Sequence, residues 1–341
     1  MENNQLKIKD YSLRFGTLIL TFLFITLIIF LAGASPKEVF VALWQGISSA
    51  DQFARVLSTL APLLLCACGL VFTFMAGLYN LGIEGQIIMG AIATTFALRI
   101  FQDIIPSYLA ILLGIIFGIA GGALWGLFAG VLNVYGKVNE IFAGLGLNFV
   151  AQGLTLYLVF GPWKRPGVAS MSGTEQFKET VWLPTIGNTE ASPIALILAV
   201  LGLVVTAIVI RGTYFGLQLR AVGQNLRASY VLGIPAYSRI LGAFAICGAL
   251  GGIAGSLQVL AVFHRLIPNI SSNLGFLALL IGMLVGNGIL WILPVAFFFS
   301  ALNVGSLQLP LSLQLESSLA GVIQGSLVLF VLLARAFNNI K

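Results

Sequence analysis

Two long stretches without a charged side chain limit the fold of this chain more than any other feature. Residues 17–35 and 266–315 contain no Asp, Glu, Lys or Arg. A helix that crosses a bilayer needs about 20 mainly apolar residues. Moreover, only 8% of the 341 residues are charged, whereas soluble domains carry about 25%. The sequence therefore predicts an all-α, polytopic membrane protein, and it excludes a soluble enzyme and any large extramembrane domain.

The apolar segments predict about ten transmembrane helices in one membrane domain that covers residues 1–341. Polar residues or Gly/Pro breaks separate the predicted spans, which are 15–34, 55–78, 85–102, 107–132, 140–160, 193–211, 238–262, 274–288, 289–309 and 316–336. The eighth and ninth spans share one apolar stretch, with a predicted hinge at residues 286–288. Because ten is an even number, both termini are expected on the same side of the membrane.

The charges of the two longest loops indicate the orientation. Residues 211–239 hold four arginines and no acidic residue, whereas residues 161–192 balance three basic against three acidic residues. Short loops rich in Lys and Arg remain in the cytoplasm. We therefore expect a cytoplasmic loop at 212–237, an extracytoplasmic loop at 161–192, and cytoplasmic termini, including residues 1–14. Orientation also explains the net charge of +6 better than a nucleic-acid partner does.

One predicted span has a glycine at every fourth position, and this pattern indicates close helix packing. The five residues of this row are Gly114, Gly118, Gly122, Gly126 and Gly130. Residues four apart lie near one helix face, and the missing side chains let a neighbouring helix approach closely. Such a crowded bundle suits a transporter, but glycine faces alone do not establish transport.

The segment 77–86 interrupts two apolar segments with one carboxylate, two amides and three glycines. Irregular backbone within a bilayer requires protein or a water-filled cavity around it. One interpretation is a broken helix that lines a pathway, with Asn80, Glu84 and Gln86 offering hydrogen bonds. The other is a turn at the membrane surface, in which Glu84 caps the next helix.

A second polar set opens and follows the predicted span at 140–160. Asn148 comes eight residues after Glu140, and Gln152 comes one turn later, so the three share roughly one helix face. Amides within a membrane either form hydrogen bonds between helices or bind substrate, and both interpretations remain open here.

The arginine-rich loop contains a short predicted helix. Asn225 is a suitable N-cap, and Gly233 is a suitable C-terminal stop. A cytoplasmic helix of this kind either docks on a partner protein or lies on the lipid surface.

No residues have the spacing of a catalytic or metal site. The three cysteines lie inside apolar segments, where small hydrophobic packing is their ordinary role, and zinc requires three or four converging ligands. The stretch 130–138 differs from a Walker A motif in its spacing and its last residue, so it predicts no phosphate-binding loop.

Several motifs resemble bacterial ABC-transporter inner-membrane permeases of the nucleoside and simple-sugar (branched-chain amino acid/ribose-type) family. Asn80-Leu-Gly-Ile-Glu-Gly-Gln86 is similar to the family signature Asn-Ile-Gly-Xaa-Glu-Gly-Gln. Val138-Asn-Glu-Ile and Leu147-Asn148 resemble its Val-Asn-Glu-Val and Leu-Asn. The segment from Gly275-Phe276 to Gly282 is similar to a further family stretch.

The arginine-rich loop resembles the family's ATPase-coupling segment. Arg220-Ala-Val-Gly-Gln-Asn-Leu-Arg-Ala is similar to Arg-Ala-Val-Gly-Glu-Asn-Pro-Arg-Ala, with Gln224 and Leu226 in place of Glu and Pro. The resemblance implies that ATPase coupling rests on Arg220, Gly223, Asn225, Arg227, Ala228, Tyr230 and Gly233. It also implies a substrate pathway bordered by Asn80, Glu84, Gln86, Glu140, Asn148 and Gln152.

The resemblance implies a permease subunit that moves nucleosides or nucleobases across a bacterial plasma membrane. Its expected partners are a cytoplasmic ABC ATPase, a second permease subunit (a paralogue or a second copy), and an extracytoplasmic binding protein or lipoprotein. ATP and Mg²⁺ would bind to the ATPase, and the permease itself would hold no cofactor and catalyse no reaction. The alternatives are a simple-sugar ABC permease and an ion-coupled secondary transporter.

Overall fold

The computed structural model describes residues 20–165, 173–187, 189–286 and 288–339, with side chains as far as residue 333. Residues 1–14 and position 287 of the predicted hinge lie outside these ranges. The described residues form helices and connecting segments, without a strand.

The helices are numbered in chain order. They are α1 (Leu20–Leu31), α2 (Pro36–Ser48), α3 (Ala50–Met75), α4 (Ile83–Phe101), α5 (Ser107–Val134), α6 (Glu140–Phe160), α7 (Pro193–Gly212), α8 (Tyr214–Gln224), α9 (Leu226–Val231), α10 (Ala236–Leu257), α11 (Leu274–Val285), α12 (Ile292–Gly305), α13 (Gln308–Leu313) and α14 (Leu319–Asn339).

Seven helical segments among the described residues are long and apolar enough to cross a membrane. They are Ala50–Met75, Ile83–Phe101, Ser107–Val134, Glu140–Phe160, Pro193–Gly212, Ala236–Val262 and Ile289–Leu313. The pair α1 and α2 passes the same test as one broken span, bent by 96°. The chain is therefore an all-α, polytopic membrane protein.

The predicted count of ten spans differs from this result at three segments. The predicted span 274–288 forms only the 12-residue helix α11, which is shorter than the bilayer core requires. The last apolar segment is also short, at Leu319–Leu333. In addition, α2 was not predicted as a separate helix, although Pro36 at its first position favours a new helix start.

Helices α4, α5 and α10 pack together in the unit formed by Leu57–Ala296. All five glycines of the α5 row are buried. A Cβ placed on Gly122 would lie 2.2 Å from the Gly248 carbonyl oxygen, and one on Gly252 would lie 2.1 Å from that of Gly118. The backbones of α5 and α10 therefore touch directly, without side chains between them.

The remaining unit, Met1–Val56 with Phe297–Lys341, has its own apolar core. Ile29, Val39 and Leu309 are fully buried in it. The Ser300 hydroxyl donates to the Val56 carbonyl at 2.6 Å within the same unit.

Candidate functional site

Helices α3 and α4 are separated by a non-helical break, residues 76–82, in which Asn80 and Gly82 are buried whereas Gly77 and Tyr79 are exposed. Gly77 has a φ of +76°, a conformation that glycine adopts at no steric cost, and it turns the chain out of α3. The Leu78 amide then donates back to the Thr73 carbonyl at 3.0 Å. Asn80 has no exposed surface. The chain therefore breaks between α3 and α4 with Asn80 buried, a geometry that both interpretations of this segment allow.

Two amide side chains join the break to the first turn of α4. Asn80 Nδ2 donates to Gln86 Oε1 at 3.3 Å, and Gln86 Nε2 donates to Asn80 Oδ1 at 3.4 Å. Asn80 Oδ1 also accepts from the Gly82 amide at 3.1 Å, and Asn80 Nδ2 donates to Cys247 Sγ of α10 at 3.2 Å. These bonds satisfy the polar groups of two side chains that are fully buried.

Asn148 of α6 binds the backbone on both sides of the start of α4. Its Nδ2 donates to the Leu81 carbonyl at 2.9 Å, and its Oδ1 accepts from the Gly85 amide at 2.8 Å. A Cβ on Gly144 would lie 2.5 Å from the Gly82 nitrogen, so the break and α6 also touch directly. Asn148 thus forms hydrogen bonds between helices, which is one of the two roles considered for it.

Glu84 caps a different helix from the one that contains it. It is only 3% exposed, and its Oε1 accepts from the amides of Gly275 and Phe276 at 3.1 and 3.3 Å. These amides belong to the first turn of α11, where backbone N–H groups lack partners within the helix and where an acidic group is favoured. We refer to Asn80, Glu84, Gln86 and Asn148 as the polar clamp.

Two further predicted pathway residues lie on α6. Gln152 is half-buried, and its Nε2 donates to the Pro268 carbonyl. Glu140 is half-buried in the first turn of α6, after Asn139, whose side chain accepts from the Ile141 amide at 2.9 Å. The structure therefore places Asn148 against the break, whereas Glu140 lies about two turns earlier, at the start of α6.

The arginine-rich loop folds into two helices, α8 and α9, of which the sequence predicted only the second. Asn225 caps α9, because its Oδ1 accepts from the Ala228 amide at 3.0 Å. Gly233 follows α9 with a φ of +74°, as a helix stop requires. Helix α8 begins after Thr213, whose hydroxyl accepts from the Gly216 amide at 3.3 Å.

The outer surface of α9 is exposed and carries both charged and apolar groups. Val231 of α9 and Leu232, which follows it, are 89% and 74% exposed, and Arg227 of α9 and Arg220 of α8 are also exposed. The Tyr230 ring packs edge-on against Tyr237 at a centroid distance of 5.4 Å. Exposed apolar groups next to arginines fit both roles considered for this helix, docking on a partner protein and lying on the lipid surface.

At the other end of α10, residues 173–183 pair with residues 260–266. The Thr174 amide donates to the Leu266 carbonyl, and the Phe177 amide to the His264 carbonyl, both at 2.9 Å. The rings of Trp182 and His264 stack at a centroid distance of 3.8 Å. Burial lowers the pKa of the His264 imidazole. Backbone hydrogen bonds therefore hold residues 173–183 of the 161–192 loop against residues 260–266.

Residues 52–332 match the protein family described as the permease component of branched-chain amino acid transport systems. The chain belongs to this family. The matched range contains the break, the polar clamp and helices α8 and α9, and it confirms the resemblance noted in the sequence.

Characterised relatives of this permease carry names for two kinds of substrate. The guanosine ABC transporter permease protein NupP of Bacillus subtilis (strain 168) is 26% identical over 312 residues, which cover 89% of this chain and 88% of that protein. The nucleoside ABC transporter permease protein NupB of Lactococcus lactis subsp. cremoris (strain MG1363) is 28% identical over 77% of this chain and 74% of that protein. The glucose ABC transporter permease protein TsgB13 of Haloferax volcanii is 26% identical over 87% of this chain and 80% of that protein.

The structure of the permease adds contacts that sequence reasoning missed. Cys247, read as an ordinary core residue, accepts a hydrogen bond from Asn80, and the backbone amides of Gly275 and Phe276 bind Glu84. No local signal identifies these pairs, because the partners are 167 and more residues apart in the chain.

Proposed function

We propose that this chain is the permease subunit of an ABC importer that carries nucleosides or nucleobases across a bacterial plasma membrane. The observation that carries the proposal is the family match over residues 52–332. The names of the guanosine and nucleoside permeases support this substrate class. The glucose permease supports a simple sugar as the alternative substrate.

We propose that a cytoplasmic ABC ATPase docks on α9 and that ATP and Mg²⁺ bind to this partner. The exposed arginines and apolar side chains of α8 and α9 support the docking site. A second permease subunit and an extracytoplasmic binding protein or lipoprotein would complete the importer. The positive-inside rule supports a cytoplasmic location for 212–237 and for both termini, and an extracytoplasmic location for the loop 161–192.

The six predicted pathway residues would act in two ways during alternating access. Asn80, Glu84 and Gln86 are buried, so we propose that they hold the broken helix in position beside the path. Glu140, Asn148 and Gln152 are half-buried, and we propose that they face the path with part of their surface.

A transport assay with purified protein tests the importer proposal. The tagged permease is purified with its associated subunits, reconstituted in liposomes, and supplied with ATP and radiolabelled guanosine, with glucose as the comparison. We expect ATP-dependent transport of guanosine. Transport by the permease alone, driven by an imposed proton or sodium gradient, would instead establish a secondary transporter. ATP-dependent transport of glucose but not guanosine would establish the sugar alternative.

The docking site is tested by Arg227→Glu, which reverses an exposed charge on α9. We expect ATP-dependent transport to fall about tenfold or more, because a like charge placed across a complementary interface weakens binding. Arg211→Glu is the matched control, since Arg211 is an exposed arginine at the end of α7, outside α8 and α9. Substrate delivery by the binding protein should be unchanged in both variants. Normal transport by Arg227→Glu would contradict the docking assignment.

A further inference from the structure

The last turn of α8 lies directly on the end of α3. A Cβ placed on Gly223 would lie 2.1 Å from the Met75 carbonyl oxygen and 3.0 Å from the Gly77 nitrogen. In the opposite direction, a Cβ on Gly77 would lie 3.1 Å from the Gly223 carbonyl oxygen. No side chain fits between the two backbones. We refer to this contact between Gly77 and Gly223 as the glycine joint.

The glycine joint is continuous with the break and the polar clamp. Leu78, which follows Gly77, packs against an apolar cluster that includes Val222 of α8. Asn80 comes two residues later and bonds to Gln86 of α4 and Cys247 of α10. A displacement of α8 therefore reaches the start of α4 over a few residues, all of them packed or hydrogen-bonded.

Helix α8 also touches neighbouring segments at its other end. A Cβ on Gly216 would lie 2.4 Å from the Ile210 carbonyl oxygen, so the first turn of α8 touches the last turns of α7. Arg239 of α10 lies over the Phe215 ring at 5.5 Å. Because both ends of α8 are in close contact with their neighbours, a displacement of α8 would be passed to these segments. Close-packed interiors transmit such displacements with little deformation.

We propose that the glycine joint transmits movement of α8 and α9 to the break between α3 and α4. This inference rests on the proposed ATP-driven function. Gly77 and Gly223 are positioning residues in this proposal, because they act through backbone contact and touch no substrate. A rigid contact between two backbones transmits force without depending on the rotamer of an intervening side chain.

The test compares Gly223→Ala with Gly212→Ala in the reconstituted complex. The methyl group of Gly223→Ala must displace the end of α3, whereas a Cβ on Gly212 meets no atom within 4 Å. Co-purification of the ATPase, ATP hydrolysis and guanosine transport are measured for each variant. We expect Gly223→Ala to retain the ATPase and hydrolyse ATP, with about one tenth or less of the wild-type amount of guanosine transported per ATP.

The readout is the transport-to-hydrolysis ratio, which a loss of folded protein would not change. A normal ratio in Gly223→Ala would overturn the inference, and so would an equal fall in Gly212→Ala. A wild-type complex without ATP-dependent transport would refute the proposed function itself.

Amide hydrogen exchange of the wild-type complex gives a second measurement if Gly223→Ala does not fold. Nucleotide binding should change exchange in residues 214–224 and in residues 76–82 together. A change confined to residues 214–224 would overturn the inference, because the movement would then not reach the break.

Discussion

Replacing Glu84 with alanine should destabilise the permease through a helix that does not contain Glu84. The substitution removes the oxygen that accepts from the amides of Gly275 and Phe276. The Gly275 amide is buried, whereas Phe276 is 42% exposed, so Gly275 is the donor that loses most. A buried donor left without a partner costs about 1–3 kcal/mol, and this is the expected loss of stability.

Glu84→Gln keeps an oxygen acceptor and removes the carboxylate. We expect a smaller loss than for Glu84→Ala, because the Gln oxygen can still accept from the Gly275 and Phe276 amides. The matched control is Glu140→Ala, which removes a half-buried glutamate from the first turn of α6.

Denaturation in detergent micelles measures the stability of each variant, and amide exchange measures the state of α11. Glu84→Ala should increase exchange at Gly275 and Phe276 before it affects α5 or α10. If Glu84→Ala is no less stable than Glu140→Ala, or if exchange at these amides is unchanged, the capping role of Glu84 is refuted.

Three further predictions concern the clamp, the glycine row and pH. Asn148→Ala should lower the free energy of unfolding by about 2–4 kcal/mol in chemical denaturation, because two buried backbone groups lose their partner. Gly122→Ala should cost about 1–3 kcal/mol or more by overpacking against Gly248, whereas Gly146→Ala, which meets no atom within 4 Å, should be nearly neutral in the same measurement. Burial lowers the pKa of His264 from 6.5, so the unfolded chain binds the proton more readily. Stability is therefore full above about pH 6.5 and falls below it. In thermal unfolding across pH 5–8, His264→Gln should reduce this dependence, and an unchanged dependence would contradict it.

Local patterns in the sequence were sufficient to predict α9 and the break. Asn225 and Gly233 act on their own backbone within a few residues, so their cap and stop are visible from spacing. The glycines of segment 77–86 indicated a break because glycine is the residue that leaves a helix most easily. Helix α8 was not predicted, although Thr213 is a residue type that caps helices and Gly216, Leu219 and Val222 form a buried face at three-residue spacing.

Short helices inside the bundle were harder to predict than long ones. The apolar run 274–288 looks like a membrane span by composition, but Ser272 and Asn273 take left-handed conformations and α11 begins only at Leu274. The cap for α11 comes from Glu84, 191 residues away from Gly275. The composition of a segment indicates whether it is apolar enough to lie in lipid, but it does not indicate that Glu84 will cap the helix.

By itself, the sequence determined that this protein is an all-α membrane protein and a member of a permease family. Charge density and apolar length decide whether a chain lies in water or lipid, and the motifs identify the family without reference to contacts. Only the tertiary structure decided that Glu84 caps α11, that Asn80 binds Cys247, and that Gly223 touches the end of α3. These contacts join segments that are far apart in the chain, and packing of the whole bundle is what brings them together.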